Sequence, residues 1–515
     1  MPSAPSSRAT RIALVTFMVG SAFAQAQTPN AGSASDPDIS SVIRELQAEV
    51  RELRGAVSEL RAESERYRAE TERLRRQVEA ASSTLSPSRG DGENAGQGGS
   101  AAAGSSTDQR LAAIEEEQEL LKDKVNQQYQ TKVESASKYR VRLSGIVLLN
   151  AFNNQGAVDS IDVPTLATYR SPPSSGGSLG ATLRQSQIGI EGFGPVVAGA
   201  RTQAEVQLDF GGGVPEISNG VTSGLVRMRT ATLRLDWDRT SVVVGQDALF
   251  LAPQSPTSYA SLIEPPLAYS GNLWGWVPQI RVEHRFEIAE RSGLILQGGL
   301  LDPLTGELPV TEYDRKPTAG ENARAPAVGV RAAWSQRAFG RDFVLGVAGY
   351  YSKQNWGFNR DVNGWAGLAD WQIPLTSWLK LTGDFYRGSA VGAFGGGIGR
   401  SVLFNGLLSD PATLVRPLNS MGGWTQLKVV PAPKIEFNGA VGQDNPFAED
   451  IRFFPNAQSY LNSNLSRNRT EFVNFVYRPR SDLLFAAEFR RLRTFDITNN
   501  SQMANHVNLA MGYLF

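Results

Sequence analysis

Between positions 139 and 515 this chain repeatedly sets a polar or charged side chain beside an apolar one with a period of two. Arg201, Gln203, Glu205, Gln207 and Asp209 alternate with Ala204, Val206, Leu208 and Phe210. Gln279, Arg281, Glu283 and Arg285 alternate with Ile280, Val282, His284 and Phe286, and Lys380, Thr382 and Asp384 with Leu379, Leu381 and Phe385. Successive side chains of an extended chain point to opposite faces, so each stretch reads as a strand with one wet and one greasy face. About sixteen strands of the roughly ten-residue length that a tilted membrane strand needs can be placed. The first begins near Tyr139, the second near Ala181 and the last near Asn505.

The links between these strands restrict what they can build. After even-numbered strands the links are short, at 194–199, 238–239, 289–292, 335–341, 373–376, 431–433 and 478–482. After odd-numbered strands they are mostly long, as at 153–180, 251–275, 302–324, 388–422 and 442–468. A soluble sandwich has no reason to sort its loops in this way, whereas a transmembrane barrel keeps short turns on the periplasmic side and long loops outside. No other stretch has the eighteen or so consecutive apolar residues of a membrane helix, but a closed barrel satisfies its backbone strand to strand and needs none. Charges at every second position would be costly against lipid, so they must face a wet lumen. The last strand carries Val507, Leu509, Met511, Tyr513 and Phe515 on one side. Its aromatic residues at the last and third-last positions look like the C-terminal signal that barrel assembly machinery reads, which makes Tyr513 and Phe515 the expected contacts. The expected fold is an all-β transmembrane barrel of about 16 antiparallel strands over 139–515, in the outer membrane of a Gram-negative bacterium, with an α-helical coiled coil before it in the periplasm.

That coiled coil is read from heptads over 39–80. Ile43, Val50, Val57, Ser64, Thr71 and Val78 fit position a, and Leu46, Leu53, Leu60, Tyr67 and Leu74 fit position d. Glu49, Glu63 and Glu70 stand at g positions, each five residues before an e-position arginine, Arg54, Arg68 or Arg75. This is the pattern of a parallel coiled coil, although opposite charges along one solvated helix look similar. β-branched residues at a with Leu at d favour two strands, while Ser64, Tyr67 and Thr71 weaken that preference. Ahead of it, Arg8 and Arg11, the apolar run from Ile12 to Phe23 and the small residues at Ala22 and Ala24 predict a signal peptide over 1–24, cut after Ala24 or Ala26. A Gly/Ser/Ala-rich linker over 81–107 and a second, weaker helix over 108–136 complete the approach to the barrel.

Composition narrows the chemistry. Lysine plus arginine equals aspartate plus glutamate at 51 each, which argues against a general nucleic-acid binder. The chain has no cysteine, which excludes thiol catalysis and thiolate metal sites. A hydrolase barrel needs a positioned base, and only two histidines exist. His284 falls on the lipid-facing register and His506 is expected to stand alone near the outer rim, so no enzyme, cofactor or metal site is expected.

Signal peptide, coiled coil and barrel together resemble the DcaP-like outer-membrane porins, near the phosphate-selective porin O and P group. Arg184-Gln185-Ser186-Gln187-Ile188-Gly189-Ile190-Glu191, Arg227-Met228-Arg229 and Val242-Val243-Val244-Gly245-Gln246-Asp247 are similar to that family's early strands. The resemblance implies a homotrimeric channel for small, often anionic, solutes, whose third external loop folds inward as a constriction. Here that loop carries Tyr259, Glu264, Tyr269 and Trp274, with Glu264 its one charge. The strand pattern itself assigns Arg140, Arg142, Arg201, Arg227, Arg229, Arg281, Arg285, Lys380, Lys428 and Arg490 to the lumen as cations, and Glu205, Asp209, Glu283, Asp384, Glu436 and Glu488 as anions. The barrel region holds about three more basic than acidic groups. Because arginine can grip a carboxylate with two parallel hydrogen bonds, the expected solutes are neutral or anionic, dicarboxylates among them. For any one arginine a salt bridge within the wall, such as Arg281 or Arg285 with Glu283, competes with a role toward solute. The phosphate-selective relatives rely on lysine clusters, whereas this barrel has few lysines, which argues against phosphate specificity.

Overall fold

The structure is a computed structural model that describes residues 132–133, 140–170, 172, 176–213, 224–306, 315–454 and 464–515. The expected signal peptide, coiled coil and linker lie outside the described residues. Of the expected helix over 108–136 only Lys132 and Val133 are described, and their backbone is extended, not helical. They pair with Arg142 and Val141, along an edge that the last barrel strand does not reach.

Sixteen antiparallel strands form one closed barrel. In chain order they are β1 (Arg140–Gln155), β2 (Gly177–Thr182 and Gln187–Val197), β3 (Ala200–Asp209), β4 (Arg227–Asp236), β5 (Thr240–Ala248), β6 (Trp276–Ala289), β7 (Ser292–Leu301) and β8 (Ala327–Ala338). Then follow β9 (Arg341–Asn355), β10 (Asp361–Pro374), β11 (Leu379–Ser389), β12 (Asn419–Ala432), β13 (Ile435–Pro446), β14 (Leu465–Arg480), β15 (Leu483–Asp496) and β16 (Ser501–Leu514). Each pairs with its sequence neighbours, and β1 pairs with β16 from Ile146 opposite Leu514 to Gln155 opposite Asn505. No described helix is long and apolar enough to cross a membrane. The outward faces carry Val147, Leu149, Ile280, Val282, Val473 and Leu509, all exposed as lipid contact requires.

Two details differ from the sequence reading. The turns are tighter: 194–199 and 335–341 shrink to Ala198-Gly199 and Phe339-Gly340, whose positive φ values (49° and 80°, 53° and 73°) mark turns with a twist that matches the flanking strands. The second strand starts at Gly177, not Ala181, and breaks over 183–186. The break frees Gln185 and Ser186 for other work: Ser186 Oγ accepts from the Leu148 amide at 3.0 Å, and Gln185 turns into the lumen.

Candidate functional site: a loop strapped across the lumen

Between β5 and β6 the chain does not return over the rim but crosses the barrel interior, over 249–275. Its backbone is tied to the wall on several sides. On the β1–β2 side, Asn150 Nδ2 donates to the Tyr259 carbonyl at 2.8 Å, while Gln185 donates to Ala260 O and accepts from the Leu262 amide at 2.6 Å. On the opposite side, Gln426 of β12 accepts from the Thr257 amide at 2.6 Å, Asn474 of β14 donates to Thr257 O at 2.8 Å, and Asn468 donates to Tyr269 O at 3.0 Å. Small polar side chains on the inward face thus satisfy a loop backbone that would otherwise be buried without partners.

The strongest straps are arginines. Arg227 and Arg229 of β4 donate to Ile263 O and Leu262 O at 2.6 and 2.7 Å. Both pair with Asp209 of β3, at 2.7 and 3.3 Å, and both guanidinium planes lie over the Trp276 ring at 4.8 and 4.6 Å. Asp209 is wholly buried. In the β3–β4 register, Gln207 faces Thr230 and Leu208 faces Met228, so Arg229 is an extra, unpaired residue. Such a bulge re-aims a side chain, here toward the loop.

At the far end of the loop a turn through Leu267, Tyr269 and Gly271, all at positive φ, seats against β12 and β13. A Cβ on Gly271 would lie 2.4 Å from the backbone of Gly423. Beyond it the Trp274 amide donates to Phe394 O at 3.0 Å, and Leu249, Phe250, Leu251 and Leu273 pack with Tyr350, Tyr386 and Phe394 in a buried apolar cluster. Loop residues 156–170 and 390–418 also contribute to the interior. Arg490 Nη1 donates to Pro164 O at 3.3 Å, Asn468 to Thr165 O at 3.0 Å, and Ile398 and Leu403 are buried.

The cations assigned from sequence sort into two groups. Toward the periplasmic end Arg140, Arg142, Arg201 and Arg285 are exposed to water, with Lys380 and Lys428 half-buried. Arg142 pairs with Glu191, Arg285 with Glu283 at 3.7 Å and Lys428 with Glu436 at 2.9 Å, while Lys380 donates to Gln372 at 3.3 Å. Toward the external end the cations are covered. Arg281 is buried between Asp247 (2.6 Å) and Glu283 (2.8 Å), and Arg490 is buried against Glu488 (2.8 Å). Neither offers a free charge to open water. Among the assigned anions Asp384 is buried with Oδ2 lacking a partner, and Glu205 is half-buried with a hydrogen bond from Gln207.

In the loop, Tyr259 accepts from Arg478 at its hydroxyl (2.9 Å). Glu264 is half-buried, and burial pushes its carboxyl up to about 7; Asp159 and Asp162 add to the rise while Arg227 and Arg184 oppose it.

Sequence reasoning missed Arg234, Arg331 and Arg478. Arg331 makes a buried pair with Asp370 at 2.8 Å, and Arg478 reaches Glu436 at 3.4 Å. Arg234 pairs with Asp236 at 2.8 Å; it was missed because the Arg229 bulge shifts the inward phase from odd to even positions. His506 is not isolated, contrary to expectation. It is fully buried, 2.7 Å from Asn154 Oδ1, and stacks on Phe152 beside Asn508.

A closed sixteen-stranded antiparallel barrel with short turns at one end and long loops at the other is the architecture of outer-membrane-type transmembrane barrels. The chain shares its fold with the outer-membrane channel DcaP of Acinetobacter baumannii, at a TM-score of 0.55 and 17% identity over 75% of this chain and all of that one. The likeness read from the sequence therefore holds at the level of the fold. Weaker matches include an anion-selective porin from Comamonas acidovorans (TM-score 0.46, 10% identity, 73% of this chain and all of that one). Another is OprB of Pseudomonas putida (TM-score 0.44, 11% identity, 73% of this chain and 94% of that one). No protein-family model matches the chain, and no curated protein matches it in sequence.

Proposed function

We propose that this protein is an outer-membrane porin: a water-filled channel for passive diffusion of small hydrophilic solutes, with a mild preference for anions such as dicarboxylates, assembled as a homotrimer. The observation that carries the reading is a charged inward wall crossed by a loop held in place by Arg227 and Arg229. A barrel that served only as an anchor has no need to strap a loop across its own lumen. The mild anion preference rests on the water-exposed Arg140 and Arg201, for which no ion pair is seen among the described residues, together with Lys380, which touches a neutral amide. Opposing them are the carboxylates of Glu191, Glu283 and Glu436, already matched by basic partners.

The test is the reversal potential of the purified protein in a planar lipid bilayer under a salt gradient, with step sizes recorded. Conductance in triplets with a potential on the anion side supports the whole proposal. A potential near zero leaves a general porin and removes the anion preference. No conductance would sink the channel reading and favour the alternative, a structural envelope protein in which the barrel anchors the expected coiled-coil spacer toward the cell wall.

A further inference from the structure

The outward face of β14 and β15 breaks its apolar pattern at the external end. Val473, Phe475 and Phe489 form the lipid-facing band. Beyond them, at strand positions next to the external loops, Arg467, Arg469, Arg491 and Arg493 fall on the same outward register. The pairing sets Arg469 directly opposite Arg493, and like charges opposite each other on one face repel. One carboxylate, Glu471, lies among them, 3.3 Å from Arg469 and 4.0 Å from Arg491. Arg467 and Arg493 lie over the Phe495 ring at 3.8 and 4.7 Å. The Nε of Arg467 is buried and has no partner. Together these side chains line a cup of about 550 Å³.

The cup does not stand alone. Arg469 and Gln443 also border a second hollow, an open apolar groove of about 490 Å³ on the outside of β10–β13, lined by Trp371, Phe385, Met421, Thr425 and Val441. A cationic cup at the membrane surface that opens onto an apolar groove has the chemistry of a headgroup joined to a hydrocarbon chain. Guanidinium groups hold phosphate with parallel hydrogen bonds. An anion between Arg469 and Arg493 would also relieve their repulsion.

We propose that this face binds a phosphorylated lipid of the outer leaflet, with phosphate between Arg467, Arg469, Arg491 and Arg493 and an acyl chain along the groove past Thr425 and Val441. A lipid is favoured over a second copy of the chain because the cup has four guanidinium groups against one carboxylate and lies at headgroup level, where a membrane supplies phosphate on every side. The site is on the outside of the barrel and does not depend on conduction through the lumen.

Native mass spectrometry of the full-length protein in detergent tests it, with bisphosphorylated lipid A as the probe and its dephosphorylated form as the comparison. The wild type is expected to retain the bisphosphorylated lipid at least tenfold better than the dephosphorylated one. The Arg469→Ala/Arg493→Ala double variant is expected to lose that advantage, and Val441→Trp, which fills the groove and leaves the arginines in place, to weaken binding of both lipids. Heat-modifiable migration confirms that each variant is folded. Equal retention of the lipid by the double variant, or its displacement by millimolar inorganic phosphate, would overturn the proposal. So would a change in the number of chains per particle with no loss of lipid, which would make the face a contact between copies.

Discussion

Asp209 is the residue on which the anchorage of the crossing loop turns. It lies wholly buried between Arg227 and Arg229, which also hold the carbonyls of Leu262 and Ile263. Removing one partner of a buried pair strands the other charge, at a cost of about 3–5 kcal/mol when all groups are dry. Here the guanidinium groups retain 26% and 14% exposure, so solvent screens part of that cost. Asp209→Asn is expected to destabilise the barrel by about 2 kcal/mol and to shift the reversal potential toward anions, because two arginines lose their internal counter-charge. Urea unfolding and a bilayer recording read the two effects; an unchanged midpoint would show that the pair does not hold the loop. Glu264 supplies a pH dependence. Its carboxyl is raised by burial to about 7, so it is neutral below that pH and negative above it. Acidifying from pH 8 to 6 should therefore move selectivity toward anions. The folded state, which binds this proton more tightly than the unfolded chain, should lose the corresponding stability as pH rises through about 7. Glu264→Gln should flatten both trends, and a wild-type potential constant across this range would count against a charge at the constriction.

At the scale of elements, the crossing loop is seated by a close backbone approach. Gly271 sits at φ 93° with Gly423 directly beneath it, a position where a side chain is both strained and obstructed. Gly271→Val is expected to unseat the turn from β12 and β13 while the straps at Asp209 remain. The result should be larger and noisier conductance steps with an unfolding cost of about 1–3 kcal/mol, and conductance identical to wild type would show that this turn does not narrow the path. This loop also shows what was legible beforehand. Strand existence and inward or outward phase followed from the period of two, because each side chain there answers to a face. The phase failed at Arg234, where a single bulged residue, invisible as a letter, resets the alternation. The amides along the wall read as wet positions, yet Asn150, Gln426, Asn468 and Asn474 spend their hydrogen bonds on loop backbone. Asn150 is 109 residues from Tyr259 and Asn468 is 199 from Tyr269. Loop positions carry no periodicity, so nothing local announces which wall residue meets which carbonyl. His506 escaped for the same reason: its neighbours Asn154 and Phe152 come from β1 at the other end of the barrel chain.

For the whole molecule the seam between β1 and β16 matters most, since a barrel is stable in lipid only when no strand edge is left open. The ladder from Ile146–Leu514 upward is continued by Phe515, whose amide donates to Gly145 O at 3.1 Å and whose carbonyl accepts from Gly145 N at 2.9 Å. Its ring covers Gly145, where a Cβ would lie 2.7 Å from the ring edge. Two roles are thus joined in one residue, a backbone that extends the seam and an aromatic ring proposed as part of a signal for assembly machinery, and they can be separated. Phe515→Ala keeps both backbone bonds and removes the ring; deletion of Phe515 removes all three. If the ring is the signal, Phe515→Ala should reduce the amount of assembled protein in the outer membrane several-fold, while the purified variant unfolds within about 1 kcal/mol of wild type. Deletion should add a further loss of about 1–3 kcal/mol from the two hydrogen bonds. Heat-modifiable migration of membrane fractions reads the first quantity and urea unfolding of purified protein the second. Should Phe515→Ala assemble at the wild-type level and yet melt as early as the deletion, the ring would be a structural cover for Gly145 and the proposed recognition by assembly machinery would fall.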